Sequence, residues 1–192
     1  SDALKALRGA QVELFLEFLS QGTENEKYWI SKALCGSTDA CFFEPMLALL
    51  GSTQTGLRDN AKEFFVLAGE KGIPFLRDVL TQRHPRQIYQ WVIEILGEMG
   101  DQSLALILDL LASASKEEVY WGSVLAGTLG EGALPKLHEL LEASDWRVRC
   151  NAILGVERIG SCTSVPHLLE LLEDEYFSIR KMAVACLGKI GS

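Results

Sequence analysis

The sequence predicts an all-α fold, a right-handed α-α superhelix (α-solenoid) of about six helical hairpins. A glycine-terminated motif recurs every 28 to 31 residues along most of the chain. Each copy is followed by a second stretch whose apolar residues recur at helical spacing, i, i+3, i+4 and i+7. A fixed period of this length is typical of stacked repeat proteins. No segment shows the alternation expected of a strand.

The motif is clearest near the end of the chain, where residues 145–160 read DWRVRCNAILGVERIG and residues 176–191 read YFSIRKMAVACLGKIG. Weaker copies are seen earlier, and all five copies end in glycine: Gly72, Gly100, Gly130, Gly160 and Gly191. We expect these glycines to adopt the left-handed conformation that closes a helix. A second glycine three residues earlier recurs at Gly69, Gly97, Gly127 and Gly188. Because glycine inside a helix is destabilising, its recurrence predicts close packing against a neighbouring helix.

The pattern predicts one repeat domain over residues 1–192. Its hairpins are expected at residues 3–36, 40–71, 73–99, 101–129, 133–159 and 163–190. A single hairpin cannot bury its apolar stripe, whereas a stack of hairpins can. The last unit carries Ile179, Val184 and Leu187 without a polar capping helix. Solenoid ends usually need such a cap, so we expect further repeats or end-to-end association with another copy.

The C-terminal copies resemble HEAT repeats of the short bacterial type, which also occur in phycobilin lyase subunits. The residues that carry the resemblance are Asp145, Val148, Arg149, Ala152, Ile159 and Gly160, then Glu175, Ile179, Arg180, Ala183, Leu187, Gly188, Ile190 and Gly191. The resemblance is strong over residues 85–191 and weaker over residues 40–84. It implies an armadillo-type fold, but such folds serve many unrelated functions.

The resemblance also implies roles for two equivalent arginines, Arg149 and Arg180. In HEAT-like families this arginine usually pairs with an acidic residue at the repeat turn, and Asp145 and Glu175 are the local candidates. We expect these four residues to form a structural ladder. The alternative is an anion or phosphate site.

Composition and charge narrow the function classes. The formal net charge is −8 and the pI is about 4.9, which disfavours non-specific nucleic-acid binding. Five cysteines, none in C-x-x-C spacing, favour free thiols in a reducing cytosol. No apolar run has the length of a membrane span, and no signal peptide is visible, although the chain begins at Ser1. We expect a cytoplasmic protein.

No catalytic, cofactor or metal site is expected. The sequence has no nucleophile elbow, no phosphate-binding loop and no dinucleotide-binding glycine motif. His138 and Glu139 resemble the His-Glu pairs of deoxyhypusine hydroxylase, a di-iron HEAT-like enzyme, but the pair occurs only once. We therefore interpret His84, His138 and His167 as ordinary surface histidines.

One flank of the second helices is the predicted binding surface. Positions 13, 9, 6 and 2 before each terminal glycine border the groove, and their summed charge changes from −3 at the unit ending in Gly72 to +2 at the unit ending in Gly160. Trp91 and Trp121 lie in the middle of this series. The predicted partner-binding residues are Glu63, Trp91, Glu94, Glu98, Tyr120, Trp121, Arg147, Asn151, Arg158 and Lys189. Alternatively, the two tryptophans pack between repeats.

The sequence thus favours a non-catalytic interaction or scaffold module that binds a protein or peptide segment on its concave second-helix face. Aromatic anchors flanked by charge are typical of such surfaces. The similarity to phycobilin lyase subunits keeps open an enzyme subunit or tetrapyrrole chaperone. A nucleic-acid-binding HEAT-like protein is the third hypothesis, and the acidic charge disfavours it.

Overall fold

The computed structural model describes the backbone of residues 2–191 and the side chains of residues 10–191. Over the described backbone the chain forms twelve α-helices and no strand, so the predicted all-α class is confirmed. The helices are α1 Asp2–Gln21, α2 Glu24–Leu34, α3 Phe43–Leu50, α4 Thr55–Ala68, α5 Ile73–Thr81, α6 Arg86–Glu98, α7 Leu104–Ala112, α8 Lys116–Leu129, α9 Leu134–Leu141, α10 Trp146–Ile159, α11 Val165–Glu170 and α12 Phe177–Ile190. Short 3-10 turns precede or follow several of them.

The helix ends follow from capping chemistry in most repeats. The Asp145 carboxylate accepts a hydrogen bond of 2.9 Å from the Arg147 amide and caps α10. Gly160, with φ 71° and ψ 18°, closes the same helix in the left-handed conformation. The expectation of a left-handed terminal glycine is wrong for Gly72 and Gly191, whose φ angles are −82° and −88°. In the first of these repeats the chain turns three residues earlier, at Gly69 with φ 57°.

The helices form two compact units. The N-terminal unit comprises Ser1–Val79 and His84–Ile95, and the C-terminal unit comprises Leu80–Arg83 and Leu96–Ser192. The organisation as one repeat domain therefore stays a prediction, and each unit is described separately.

The N-terminal unit is built on aromatic packing. Helices α1 and α2 pack together, as do α3 and α4, and α2 also packs on α4. Phe64 and Phe65 are fully buried on α4. Phe43 and Phe75 approach Phe65 with ring centroids 5.8 and 5.9 Å away. Such ring pairs bury large apolar areas and hold α3, α4 and α5 together.

The C-terminal unit is built on aliphatic residues and close helix contacts. Helices α7 and α8, α9 and α10, and α11 and α12 pair as hairpins, and α10 packs between α8 and α12. A Cβ added at Gly122 would lie 3.0 Å from the Leu110 Cβ, and one at Gly155 would lie 3.0 Å from Leu137. The absence of a side chain at these positions lets the helices approach each other.

The predicted close packing at the recurrent internal glycines is confirmed at two positions. A Cβ at Gly97 would lie 2.7 Å from the Thr128 side chain, and one at Gly127 would lie 3.2 Å from Arg158. At Gly188 the space is open. The contacts of Gly97 and Gly127 bring the second helices of successive repeats together, and these helices carry the side chains of the candidate site.

Candidate functional site

A cavity opens on the second helices of the C-terminal unit. It has a volume of about 770 Å³ and is lined from α8, α10 and α12, with the turn after α7 at its edge. Five of the predicted partner-binding residues line it: Tyr120, Arg147, Asn151, Arg158 and Lys189. The structure therefore brings together the C-terminal half of the predicted set.

Two aromatic rings and a leucine give the cavity an exposed apolar surface. Tyr120 is 52% exposed and Leu154 is 36% exposed. Trp146 is 38% exposed and stacks on Tyr176, with ring centroids 5.6 Å apart and planes 20° apart. Tyr120 in turn contacts Trp121 edge-on at 5.0 Å. Because each ring is braced by another ring, little side-chain freedom is left to lose on binding.

The charges around these rings are predominantly positive. Lys116, Arg147, Arg158 and Lys189 line the cavity, and Glu157 is its only carboxylate among the described residues. Lys189 pairs with Glu157, and Arg147 pairs with Asp145 at 3.1 Å. The four cations and one carboxylate give a local charge of +3 on a chain whose net charge is −8.

Arg158 contacts an aromatic ring of the cavity lining. Its guanidinium carbon lies 5.7 Å from the centroid of the Tyr120 ring, within the range of a cation–π contact. Among the described side chains, neither Arg158 nor Lys116 forms an ion pair with a carboxylate. Both cations are exposed. They present donors that an incoming acceptor can use without breaking an existing ion pair.

Asn151 also has a structural contact. Its side-chain amide donates a 2.7 Å hydrogen bond to the carbonyl oxygen of Leu111 near the end of α7. That carbonyl is one of the last four of the helix, which lack a partner within it. Asn151 is half-buried, and this bond fixes α10 against α7 at the base of the cavity.

Trp91 and Trp121 do not line the cavity. Both are half-buried. The Trp91 indole nitrogen is buried and has no hydrogen-bond acceptor among the described atoms. Its ring is covered by Lys62 and Arg58, which lie 5.3 and 5.6 Å from its centroid. Whether these tryptophans contact a partner or pack between repeats stays a prediction.

The predicted acidic residues of the N-terminal unit are linked to lysines. Glu63 on α4 pairs with Lys32 on α2 at 2.6 Å, and Glu94 on α6 pairs with Lys62 on α4 at 3.0 Å. The hydrogen bond to Glu63 raises the pKa of Lys32. Glu98, near the end of α6, is exposed and belongs to the C-terminal unit. Glu63 and Glu94 each meet a lysine of the preceding repeat, and these two lysines offset part of the negative charge counted at the predicted positions.

The predicted ladder exists, but its pairing differs from the prediction. Arg149 is buried and donates to both carboxylate oxygens of Asp174, at 2.9 and 3.1 Å. It does not pair with Asp145, whose carboxylate instead binds Arg147. Arg180 donates to the backbone carbonyl oxygens of Asp174 and Glu175, at 2.7 and 3.1 Å. Arg149 thus links its own repeat to the next, and the Glu175 carboxylate lies 3.9 Å from it as well, whereas the hydrogen bonds of Arg180 stay within one repeat.

The ionisation of Asp174 reflects this pairing. Burial raises the pKa of its carboxyl group. Hydrogen bonds from Arg149 and from the Tyr176 amide lower the pKa by a larger amount in total, so it lies below its usual range. Two carboxylate oxygens facing a planar guanidinium form the geometry of a strong ion pair. Both side chains are largely buried, with exposed fractions of 10% and 7%. A bound anion would therefore have to displace the Asp174 carboxylate from Arg149.

Two histidines meet in the C-terminal unit, although the sequence suggested ordinary surface residues. The rings of His138 on α9 and His167 on α11 stack with centroids 3.9 Å apart. The His138 Nε2 lies 2.9 Å from the hydroxyl of the buried Ser164. Burial, and then the neighbouring His167, lower the pKa of His138. In the sequence, His138 and His167 are separated by nearly one repeat length, and this spacing could have predicted their contact.

The cysteines are free thiols, and Cys186 is buried with its pKa raised to about 11 by that burial. Within the described residues, no group of three or more His, Cys, Asp or Glu side chains is placed to hold a metal ion.

The last repeat exposes large apolar side chains. Leu169, Phe177 and Val184 are 51%, 70% and 61% exposed. Their counterparts one repeat earlier are His138, Trp146 and Ile153. His138 and Trp146 stack on rings of the last repeat, and Ile153 is fully buried. The exposed set thus occupies the positions through which one repeat contacts the next, and end-to-end association stays a prediction.

Comparison with known proteins agrees with the repeat type. The family model described as HEAT repeats matches residues 134–192, which confirms the predicted resemblance over α9 to α12. A search of curated proteins gives no match.

Similar solved structures include a designed armadillo repeat protein in complex with the peptide (KR)4, with 15% identity, TM-score 0.36, and coverage of 92% of this chain and 98% of that one. The complex of CpcE and CpcF of phycocyanin lyase from Nostoc sp. PCC7120 is similar at 19% identity and TM-score 0.41, with 78% and 99% covered. An archaeal HEAT-like repeat protein from Thermococcus onnurineus is similar at 15% identity and TM-score 0.37, with 93% and 79% covered.

Of the helices described, none is long and apolar enough to span a membrane.

Proposed function

We propose that the chain is a non-catalytic interaction module that binds a segment of a partner protein on the cavity-lining face of α8, α10 and α12. The observation that carries the proposal is the pair of exposed, braced rings, Tyr120 and Trp146, beside exposed cations in one cavity. Tyrosine, tryptophan and arginine dominate the binding energy of protein interfaces.

The proposal changes the residues expected to contact the partner. Tyr120, Arg147, Asn151, Arg158 and Lys189 remain from the sequence-based set, and Trp146 and Leu154 join them. Glu98 leaves the set because it does not line the cavity. The tryptophans Trp91 and Trp121 leave the set because they are half-buried outside the cavity. Glu63 and Glu94 leave it because they pair with lysines of the preceding repeat.

The test is a comparison of captured proteins. Tagged wild-type chain and a Tyr120→Ala/Trp146→Ala variant would be used to capture proteins from the native host, with quantification by mass spectrometry. We expect partners of the wild-type chain to be lost with the variant. Trp29→Ala is the matched control, because Trp29 is 62% exposed but belongs to the N-terminal unit. Circular dichroism would show that each variant keeps its helices.

Two results would count against the proposal. If the double variant captures the same partners as the wild-type chain, the cavity is not the contact surface. If Trp91→Ala/Trp121→Ala loses the partners while keeping its melting temperature, the original tryptophan hypothesis is correct instead.

A second candidate is a tetrapyrrole chaperone or enzyme subunit of the phycobilin lyase type. The cavity volume of about 770 Å³ favours it, since pockets for small ligands and cofactors fall in this size range. Aromatic faces and cations would also suit a flat ligand with carboxylate groups. Absorbance of the purified chain mixed with biliverdin or haem separates the two candidates. A spectral shift that disappears in Tyr120→Ala/Trp146→Ala would support the chaperone, and an unchanged spectrum would exclude it.

A further inference from the structure

We infer that the segment recognised by the α8, α10 and α12 face is acidic and carries an aromatic or long aliphatic anchor residue. The inference rests on the proposed function and specifies the chemistry of the partner. It follows from the charge of the lining, the exposed cations without ion pairs and the exposed apolar side chains in the same cavity.

The lining selects for negative charge. Its charge of +3 contrasts with the chain's net charge of −8. The cations Arg158 and Lys116 lack ion pairs with described carboxylates. A carboxylate that reaches them gains a charge-assisted hydrogen bond without displacing a partner. A basic segment would meet four cations and a single carboxylate that already pairs with Lys189.

The apolar surface shares the cavity with the cations. Tyr120 and Leu154 are exposed, and the stacked ring of Trp146 is exposed beside them. Val119 and Cys150 complete this surface. An aromatic or long aliphatic side chain inserted here would bury apolar area against two braced rings and Leu154, which is how anchor residues contribute most of their binding energy. Carboxylates flanking the anchor in sequence would then reach Lys116 and Arg158.

The net negative charge of the chain limits how long an acidic partner segment can be. At physiological salt, charges interact over about 8 Å, so the local cations control the contact itself. A long polyanion such as duplex DNA would extend beyond the cavity and meet the acidic remainder of the surface. The surface therefore suits a short acidic segment and not a nucleic acid.

The experiment is a selection from a random peptide display library against the folded chain. We expect enriched peptides that combine Asp and Glu with one or more of Trp, Phe, Tyr and Leu. Selected peptides would be synthesised with a fluorescent label, and their affinity measured by fluorescence anisotropy. Arg158→Gln/Lys116→Gln should weaken binding about tenfold or more, since charge-assisted contacts are the stronger hydrogen bonds of proteins. Added salt should weaken binding in the wild-type chain.

The controls separate the partner's chemistry from the binding site. Lys181→Gln/Arg86→Gln removes two exposed cations that do not line the cavity and should leave the affinity unchanged. A labelled DNA duplex should not compete with the selected peptide.

Three other outcomes would contradict the inference, the choice of partner class or the proposed binding face. Enriched peptides that are basic or neutral, but need Tyr120 and Trp146, overturn the acidic inference and leave the proposed function intact. DNA that competes with the peptide overturns the choice of a protein segment. No peptide enrichment, or enrichment that Tyr120→Ala/Trp146→Ala does not diminish, overturns both the inference and the proposed binding face.

Discussion

The second helices of the two units use their charged residues differently. In the N-terminal unit, lysines of one repeat pair with glutamates of the next, as in Lys32 with Glu63 and Lys62 with Glu94. In the C-terminal unit, Lys189 likewise pairs with Glu157 of the adjacent repeat, but Arg158 and Lys116 line the cavity without a carboxylate partner among the described side chains. We therefore expect charged side chains on a repeat surface to indicate a binding site only where they form no ion pair with an adjacent repeat.

The cores of the two units also differ, in the residue types that fill them. Phenylalanine rings fill the N-terminal core, with Phe64 and Phe65 fully buried. The C-terminal core uses Leu110, Leu137 and two glycines, Gly122 and Gly155, that let helices approach closely. A third glycine, Gly127, lets α8 approach α10 at Arg158, whose guanidinium carbon lies 5.7 Å from the Tyr120 ring centroid. The packing of the C-terminal unit therefore helps to assemble its cavity.

The largest effect is expected from the buried ladder of the C-terminal unit. Arg149→Met removes the partner of the buried Asp174 carboxylate and should lower the free energy of unfolding by about 3–5 kcal/mol at neutral pH. Urea denaturation of both proteins measures this difference. A loss below about 1 kcal/mol, as for a surface pair, would contradict the structural role assigned to this pair.

The same variant predicts a pH dependence. Because the pKa of Asp174 is lowered in the folded protein, its ion pair contributes stability above the ordinary aspartate pKa and loses that contribution as the pH falls through the folded pKa. The stability difference between wild type and Arg149→Met should therefore shrink on acidification below about pH 4. A difference that stays constant would show that Asp174 is not the group involved.

A smaller effect is expected from the glycine contacts of the C-terminal core. In Gly122→Ala, the new Cβ would lie 3.1 Å from the Leu111 amide nitrogen and 3.0 Å from the Leu110 Cβ, and this overpacking should cost about 1–3 kcal/mol. Gly188→Ala is the matched control, since its surroundings are open and alanine favours a helix by about 1 kcal/mol. Thermal unfolding should show opposite signs for the two variants. The same sign for both would contradict the packing described.

A weaker effect is expected from the lysine–glutamate pairs of the N-terminal unit. Glu94→Gln should change the free energy of unfolding by less than about 1 kcal/mol, because half of the Glu94 side chain is exposed. Partner capture by this variant should equal that of the wild-type chain. A loss of partner with unchanged stability would restore Glu94 to the binding surface and remove the contrast between the units.

The smallest effect concerns the stacked histidines. The pKa of His138 is lowered, so its protonation opposes folding, and stability should decline as the pH falls below about 6.5. The groups facing it are His167 and the Ser164 hydroxyl. His138→Leu introduces the residue found at the equivalent position, Leu169, and should flatten the stability profile between pH 7 and about pH 5. An identical slope in both proteins would rule out His138 as its source.

The sequence predicted the repeat architecture because glycines and apolar residues report local helix geometry. Gly97 and Gly127 as contact points between helices followed from that local geometry. Partners across repeats did not follow, since Arg149 reaches Asp174, a residue 25 positions away. Trp146 is exposed and Trp91 is half-buried because neighbouring repeats cover one ring more than the other. The pattern of a single repeat does not contain that information.

The most direct test of the central claim, that a partner segment binds the cavity of the C-terminal unit, is site-specific photo-crosslinking in the native host. A benzophenone amino acid would replace Trp146 in one variant and Trp29, exposed in the N-terminal unit, in another. We predict a discrete crosslinked product on irradiation of the first variant and none with the second. A product only from the position of Trp29, or from neither position, would contradict the claim.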